Sequence, residues 1–130
     1  MSETMQVSQM MMPNFKKIDG VTRVAEALKM MKEDGLNAML IEPRDKSDVF
    51  GILTLKDIAR KVISQRRKLH ETHVYEIMSK PVLSVPASMP VSYAARLLTN
   101  FNVSYAMVIE GDQVVGMVSL NGMVTNWDME

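Results

Sequence analysis

A chain of 130 residues with 47% hydrophobic and 23% charged side chains has the make-up of a globular protein, long enough for one compact domain or two small halves sharing a core. Fifteen basic and fifteen acidic side chains cancel, which removes a global field for nucleic acid or a membrane, and the lack of cysteine excludes disulfides, thiolate catalysis and thiolate-bound metals. The opening MSETMQVSQM holds Glu3 and no apolar run, which argues against a secretory signal, and no apolar stretch is long enough to span a bilayer, so a cytoplasmic setting is expected.

In chain order, Val7 and the consecutive Met10, Met11 and Met12 come first. A helix is expected from Thr22, a suitable N-cap, with Val24, Ala27, Leu28 and Met31 on one face. It should stop at Gly35, which tolerates the left-handed conformation that follows many helix ends. Apolar runs at 39–41 and 50–53 read as strands, with the polar turn PRDKSD (43–48) between them. A closing helix is expected over 55 to about 69, with Ile58, Val62, Ile63 and Leu69 facing inward. The segment RRKLHETHVYE (66–76) then leads to a second set of the same elements. A helix starting at Ser88 tolerates Pro90 in its first turn and carries Val91, Ala94, Ala95 and Leu98 before Asn102. Strands at 106–109 and 114–118 flank EGDQ (110–113), and a last helix runs from 120 to about 127.

The chain is therefore written twice. At an offset of 67, Val7, Met10 and Met11 meet Val74, Ile77 and Met78, and Val24, Ala27 and Met31 meet Val91, Ala94 and Leu98. After a loop two residues shorter, Gly51-Ile-Leu-Thr54-Leu55 meets Gly116-Met-Val-Ser119-Leu120. The halves are residues 1–66 and 67–130. A unit of about 60 residues buries too little surface to be secure alone. An α/β (α+β) fold is thus expected, with two β-α-β-β-α repeats packed sheet to sheet about a pseudo-two-fold axis. Apolar positions on the terminal helices, Met123 and Trp127 among them, suit either a homodimer contact or the core.

VYEIMSKPVLSVPASMPVSYAARLL (74–98) resembles the opening of a cystathionine-β-synthase-type (CBS) motif, and GILTLKDIARKVI (51–63) its closing signature. The resemblance covers nearly the whole chain in two copies, as in a tandem CBS pair or Bateman-type module. It implies a regulatory module rather than an enzyme, one that commonly dimerises and often binds AMP, ADP, ATP or S-adenosylmethionine. It needs no cofactor, and with no effector domain attached it would signal to a partner protein in trans. In the family the acid of the closing signature holds the ribose hydroxyls and its Thr or Ser lies beside the phosphates; the matching residues are Thr54 and Asp57. A carboxylate can accept both vicinal hydroxyls. Adenine-lining positions match Met78 and Leu83. The positions that carry phosphate-binding cations in some relatives match Asn37 and Ala38, both uncharged, which leaves Lys56 or Arg60 as the phosphate contact. In the second copy Ser119 keeps the hydroxyl but Gly122 replaces the acid, so only one competent cleft is expected.

Other readings attach to the same residues. Thr54-x-x-Asp57 is also a capping box, compatible with ligand binding. A ligand-free interaction module with degenerate clefts is the alternative function, favoured by Gly122 and by the uncharged Asn37, Ala38 and Ser104. His70 and His73 are three apart on a polar linker without further ligands, which suits solvation better than a metal. The fourteen methionines read as adaptable core rather than a Cu(I) site, and the run Arg60, Lys61, Arg66, Arg67 and Lys68 as a solvated helix face rather than a nucleic-acid site. No nucleophile elbow or glycine-rich phosphate loop is present.

Overall fold

In the computed structural model, which describes residues 5–127, the two repeats form two three-stranded sheets of identical topology. In the first, β1 (Lys17–Ile18) runs parallel to β2 (Ala38–Ile41), and β2 pairs antiparallel with β3 (Gly51–Thr54). In the second, β4 (Ser84–Pro86) is parallel to β5 (Tyr105–Glu110), which pairs antiparallel with β6 (Gln113–Ser119). A crossover helix joins the parallel strands of each sheet: α1 (Val24–Asp34) and α3 (Val91–Asn100). Every residue of the central strand β2 is buried, as its unbroken apolar sequence requires.

The helix ends follow the sequence at one terminus and depart from it at the other. Gly35 caps α1 in the left-handed conformation, φ 65°, and Asn102 adopts φ 54° just past α3. Thr22 is not the N-cap. That place falls to Arg23, whose side chain makes no cap bond, because the first helical N–H, of Val24, donates to the Thr72 carbonyl at 2.8 Å. Likewise α3 begins after Pro90 and not at Ser88, and Val91 N–H donates to the Met5 carbonyl at 2.8 Å. A main-chain acceptor from a distant segment replaces the side-chain cap in both repeats.

Those acceptors belong to a larger pattern. The chain forms two compact units, Lys16–Val82 and the combination of Met1–Phe15 with Leu83–Glu130. Each therefore contains the body of one repeat and the opening segment of the other. Val7 is buried in the same core as Val85, Val91, Leu98 and Val108, whereas Val74 and Ile77 are buried with Val24, Met31, Met39 and Leu53. The hydrogen bonds repeat at the offset of the sequence. Val7 and Ser8 donate to Met89 and Ala87, and Val74 and Tyr75 donate to Thr22 and Gly20. Isolated bridges join Met12 to Met117 and Ser79 to Ile52.

The closing helix of the first repeat is shorter than expected. After α2 (Leu55–Ile58) the chain widens into a π-helical turn, Ala59–Ile63, with Ser64 N–H bonded to the Ala59 carbonyl at 2.9 Å. Ile58 and Val62 remain inward, but Ile63 is 61% exposed, contrary to the sequence expectation. The second repeat closes with α4 (Leu120–Thr125).

Candidate functional site

Thr54 ends β3 in an extended conformation, and the chain turns directly into α2. Its hydroxyl accepts from Asp57 N–H at 3.1 Å, while Asp57 Oδ2 accepts from both the N–H and the hydroxyl of Thr54 at 3.0 Å. This is a complete capping box. Ala38 lies opposite Thr54 in the β-ladder, and the Asn37 carbonyl accepts from Leu55 N–H at 3.1 Å. Asn37, Ala38, Thr54 and Asp57 thus come together at one end of the sheet, with Asp57 only 9% exposed.

The second oxygen of Asp57 faces a residue that the sequence argument did not select. Lys61 Nζ stands 3.5 Å from Asp57 Oδ1 and donates to the Ile77 carbonyl at 2.9 Å. The i,i+4 spacing of an acid and a lysine was the available signal. Arg60, selected instead, is exposed, and its carbonyl accepts from the Ser64 hydroxyl. Lys56 is exposed as well. Met78 is half-buried, and its sulfur packs over Gly51, where an added Cβ would lie 3.0 Å from it. Gly51 is at the opposite end of β3 from Thr54, beside a pocket of about 360 Å³ whose lining includes Gly20, Ile41, Arg44, Tyr75, Met78 and Lys80. Leu83 belongs to the other unit, packed against that unit's core.

The equivalent corner of the second repeat keeps the cap and loses every charge. Ser119 Oγ accepts from Gly122 N–H at 2.9 Å, and Tyr105 lies opposite Ser119. Partial burial raises the Tyr105 hydroxyl above its ordinary pKa. Where the first repeat has Lys56, Asp57, Arg60 and Lys61, the second has Asn121, Gly122, Thr125 and Asn126. Asn126 Nδ2 donates to the Gly122 carbonyl at 2.8 Å, so it serves its own helix end.

The CBS domain family profile matches residues 7–64 and again residues 74–126. The chain belongs to the CBS domain family. Among relatives of this CBS pair, the mitochondrial CBS domain-containing protein CBSX3 of Arabidopsis thaliana is 28% identical over 94% of this chain. The match takes in 64% of CBSX3, so the chain spans less than two thirds of that relative's length. A hexameric CBS-CP12 protein from bloom-forming cyanobacteria superposes with a TM-score of 0.91 at 35% identity, covering 96% of this chain and 69% of its own. The CBS domain pair of protein MJ0100, solved in complex with 5′-methylthioadenosine and S-adenosyl-L-methionine, superposes with a TM-score of 0.77 at 25% identity, covering 94% of each chain.

The remaining titratable and soft groups of the CBS pair have structural surroundings. The His73 ring stacks on Tyr75 with centroids 5.2 Å apart and lies 3.3 Å from Glu76, while His70 is exposed. Among the described residues no cluster of three or more His, Asp or Glu side chains could hold a metal. Met31, Met39, Met117 and Met123 are core residues, Met10 and Met11 are half-buried against the core, and Met12 is exposed. Arg67 pairs with Glu76. Trp127 is 37% exposed, and among the described residues no helix is long and apolar enough to cross a membrane.

Proposed function

We propose that this CBS pair is a regulatory module, not an enzyme, that takes an adenosine-type ligand at Thr54 and Asp57 and signals to a partner protein. One observation carries the reading. Asp57 Oδ2 is committed to the cap, but among the described residues Oδ1 faces only an ammonium 3.5 Å away, so it retains acceptor capacity for vicinal ribose hydroxyls. Gly122 offers no such acceptor, so one site per chain is expected. The ligands of the MJ0100 pair carry no phosphate, which agrees with the uncharged Asn37 and Ala38. Adenosine, AMP or S-adenosylmethionine therefore fits better than ADP or ATP. A ligand shifts the module only by its differential affinity for two arrangements. A homodimer in a cytoplasmic setting completes the proposal.

A second reading, a ligand-free interaction module, is favoured by the acid's engagement in the cap and by the hexameric assembly of the CBS-CP12 relative. Thermal unfolding with adenosine, AMP, ADP, ATP and S-adenosylmethionine separates the two. Binding at a hundred times the dissociation constant adds about 2.7 kcal/mol, a rise of several degrees in Tm. A rise with one ligand, absent in Asp57→Ala, supports the sensor. No rise with any ligand transfers the function to the interaction module, whose oligomer, read by light scattering, would be ligand-independent.

A further inference from the structure

Lys61 connects two parts of the chain that are 20 residues apart in sequence, Asp57 and Ile77. Its side chain lies between the carboxylate at the start of α2 and the carbonyl that ends the turn Val74–Glu76, the opening turn of the second repeat. Among the described residues no backbone N–H donates to that carbonyl, so its hydrogen bond comes from the ammonium. Immediately beyond, Ser79 exchanges two main-chain bonds with Ile52, at 2.9 and 3.0 Å, and Val82 N–H reaches the Phe50 carbonyl. The segment anchored by Lys61 is therefore the one that leaves this unit for Leu83 and the second repeat.

The two contacts differ in kind. At 2.9 Å the bond to Ile77 is a full charge-assisted hydrogen bond, whereas 3.5 Å to Asp57 is an ion pair without close hydrogen-bond geometry. The carboxylate holds the ammonium by its field, and the ammonium holds the carbonyl by a bond. If Asp57 loses its charge, a flexible side chain already 36% exposed is free to turn to water, leaving the Ile77 carbonyl without a donor. In the second repeat the acid and the lysine are both absent, replaced by Gly122 and Asn126, and the matching opening segment is held through the Met12–Met117 bridge.

We infer that Lys61 is a positioning residue that transmits the charge state of Asp57 to the segment Ile77–Val82. Its part in ligand sensing rests on the reading of Asp57 as ribose anchor; the coupling itself does not. Hydrogen exchange of the full chain at the Met78 and Ser79 amides, measured without ligand, tests it. Asp57→Asn keeps a cap acceptor and removes the charge, and should speed exchange at both amides by about three- to tenfold, as expected for losing one charge-assisted bond. Lys61→Met should do the same, the double variant no more than either alone, and Lys61→Arg should restore slow exchange. Additive effects in the double variant, or unchanged exchange in Lys61→Met, overturn the coupling. With AMP, adenosine or S-adenosylmethionine as probe, altered exchange at these amides should require Lys61. Absence of any binding overturns the ribose reading alone, since the ligand-free cycle still decides the coupling.

Discussion

Thr54 and Asp57 cap one another, each accepting from the other's backbone N–H, and the same carboxylate faces the ammonium of Lys61. The structural role and the binding role proposed for this site therefore fall on one side chain. Substitution can separate them. Asp57→Asn retains an oxygen for the Thr54 N–H, whereas Asp57→Ala leaves that group unpartnered, at a cost of about 1–2 kcal/mol. Urea unfolding should show Asp57→Asn less destabilised than Asp57→Ala. Titration with adenosine or AMP should show both weakened, because with the amide oxygen kept in the cap the group replacing Oδ1 is an NH2, which donates and cannot accept the hydroxyls. A normal affinity in Asp57→Asn would remove the charge from recognition.

Gly122 provides the complementary case. It occupies the third position of α4 with no positive φ, so the backbone does not require glycine. A Cβ there would lie 3.0 Å from Ser119 Oγ, a contact that a small hydroxyl rotation relieves and that Asp57 accommodates against Thr54 in the first repeat. Gly122→Ala should stabilise the chain by about 0.5–1 kcal/mol through helix propensity and a less flexible unfolded state. A lower urea midpoint would mean that this corner has no room for a methyl group.

Much of this was legible in the sequence because the repeat preserves register. The offset that aligns Val24 with Val91 also pairs their N–H groups with equivalent acceptors, Thr72 and Met5. The strands β2, β3, β5 and β6 and the end of α1 followed from apolar runs and Gly35, all local signals, whereas the short β1 and β4 have no apolar run to place them. The misplaced helix starts share one origin, long-range main-chain bonding. Thr22 had the chemistry of an N-cap, but its carbonyl receives Val74 N–H and the helix takes its cap from Thr72. The π turn at Ala59–Ile63 has no proline or glycine to announce it, and it exposes Ile63. Lys61 was read within a solvated basic run because its partner at Ile77 lies on the exchanged opening segment, which periodicity within one repeat does not reveal.

The acid limb of stability should depend on Asp48. Its carboxylate accepts from Lys80 Nζ at 2.7 Å and from Arg44 N–H at 2.9 Å, and these bonds, the lysine first, hold its pKa far below the ordinary carboxylate value. Hydrogen bonds also lower Asp45 and Glu76. A depressed folded pKa means that the unfolded chain binds protons first. The contribution is complete above the unfolded value of about 3.9 and is lost as pH falls toward the folded one. Unfolding midpoints measured between neutral pH and strong acid should fall below about pH 4–5. Asp48→Asn should lower stability at neutral pH and flatten that fall. An unchanged acid slope would show that the Lys80 contact contributes nothing in solution.

The exchanged opening segments should be as important to each core as the residues beside them in sequence. Ile77 is 1% exposed among Val24, Met31 and Leu53, although it belongs to the second repeat. Ile77→Ala removes three buried carbon atoms and leaves a cavity, at a cost of about 2–5 kcal/mol. Tyr75, two residues earlier in the same segment, is 52% exposed, and Tyr75→Ala should cost much less. Urea unfolding of the two variants compares burial directly, since both keep the main-chain bonds of the turn. Equal losses would mean that the segment is held by those bonds and the His73–Tyr75 stack, while a large loss confined to Ile77→Ala would make apolar burial the force that ties the second repeat's opening to the first repeat's body.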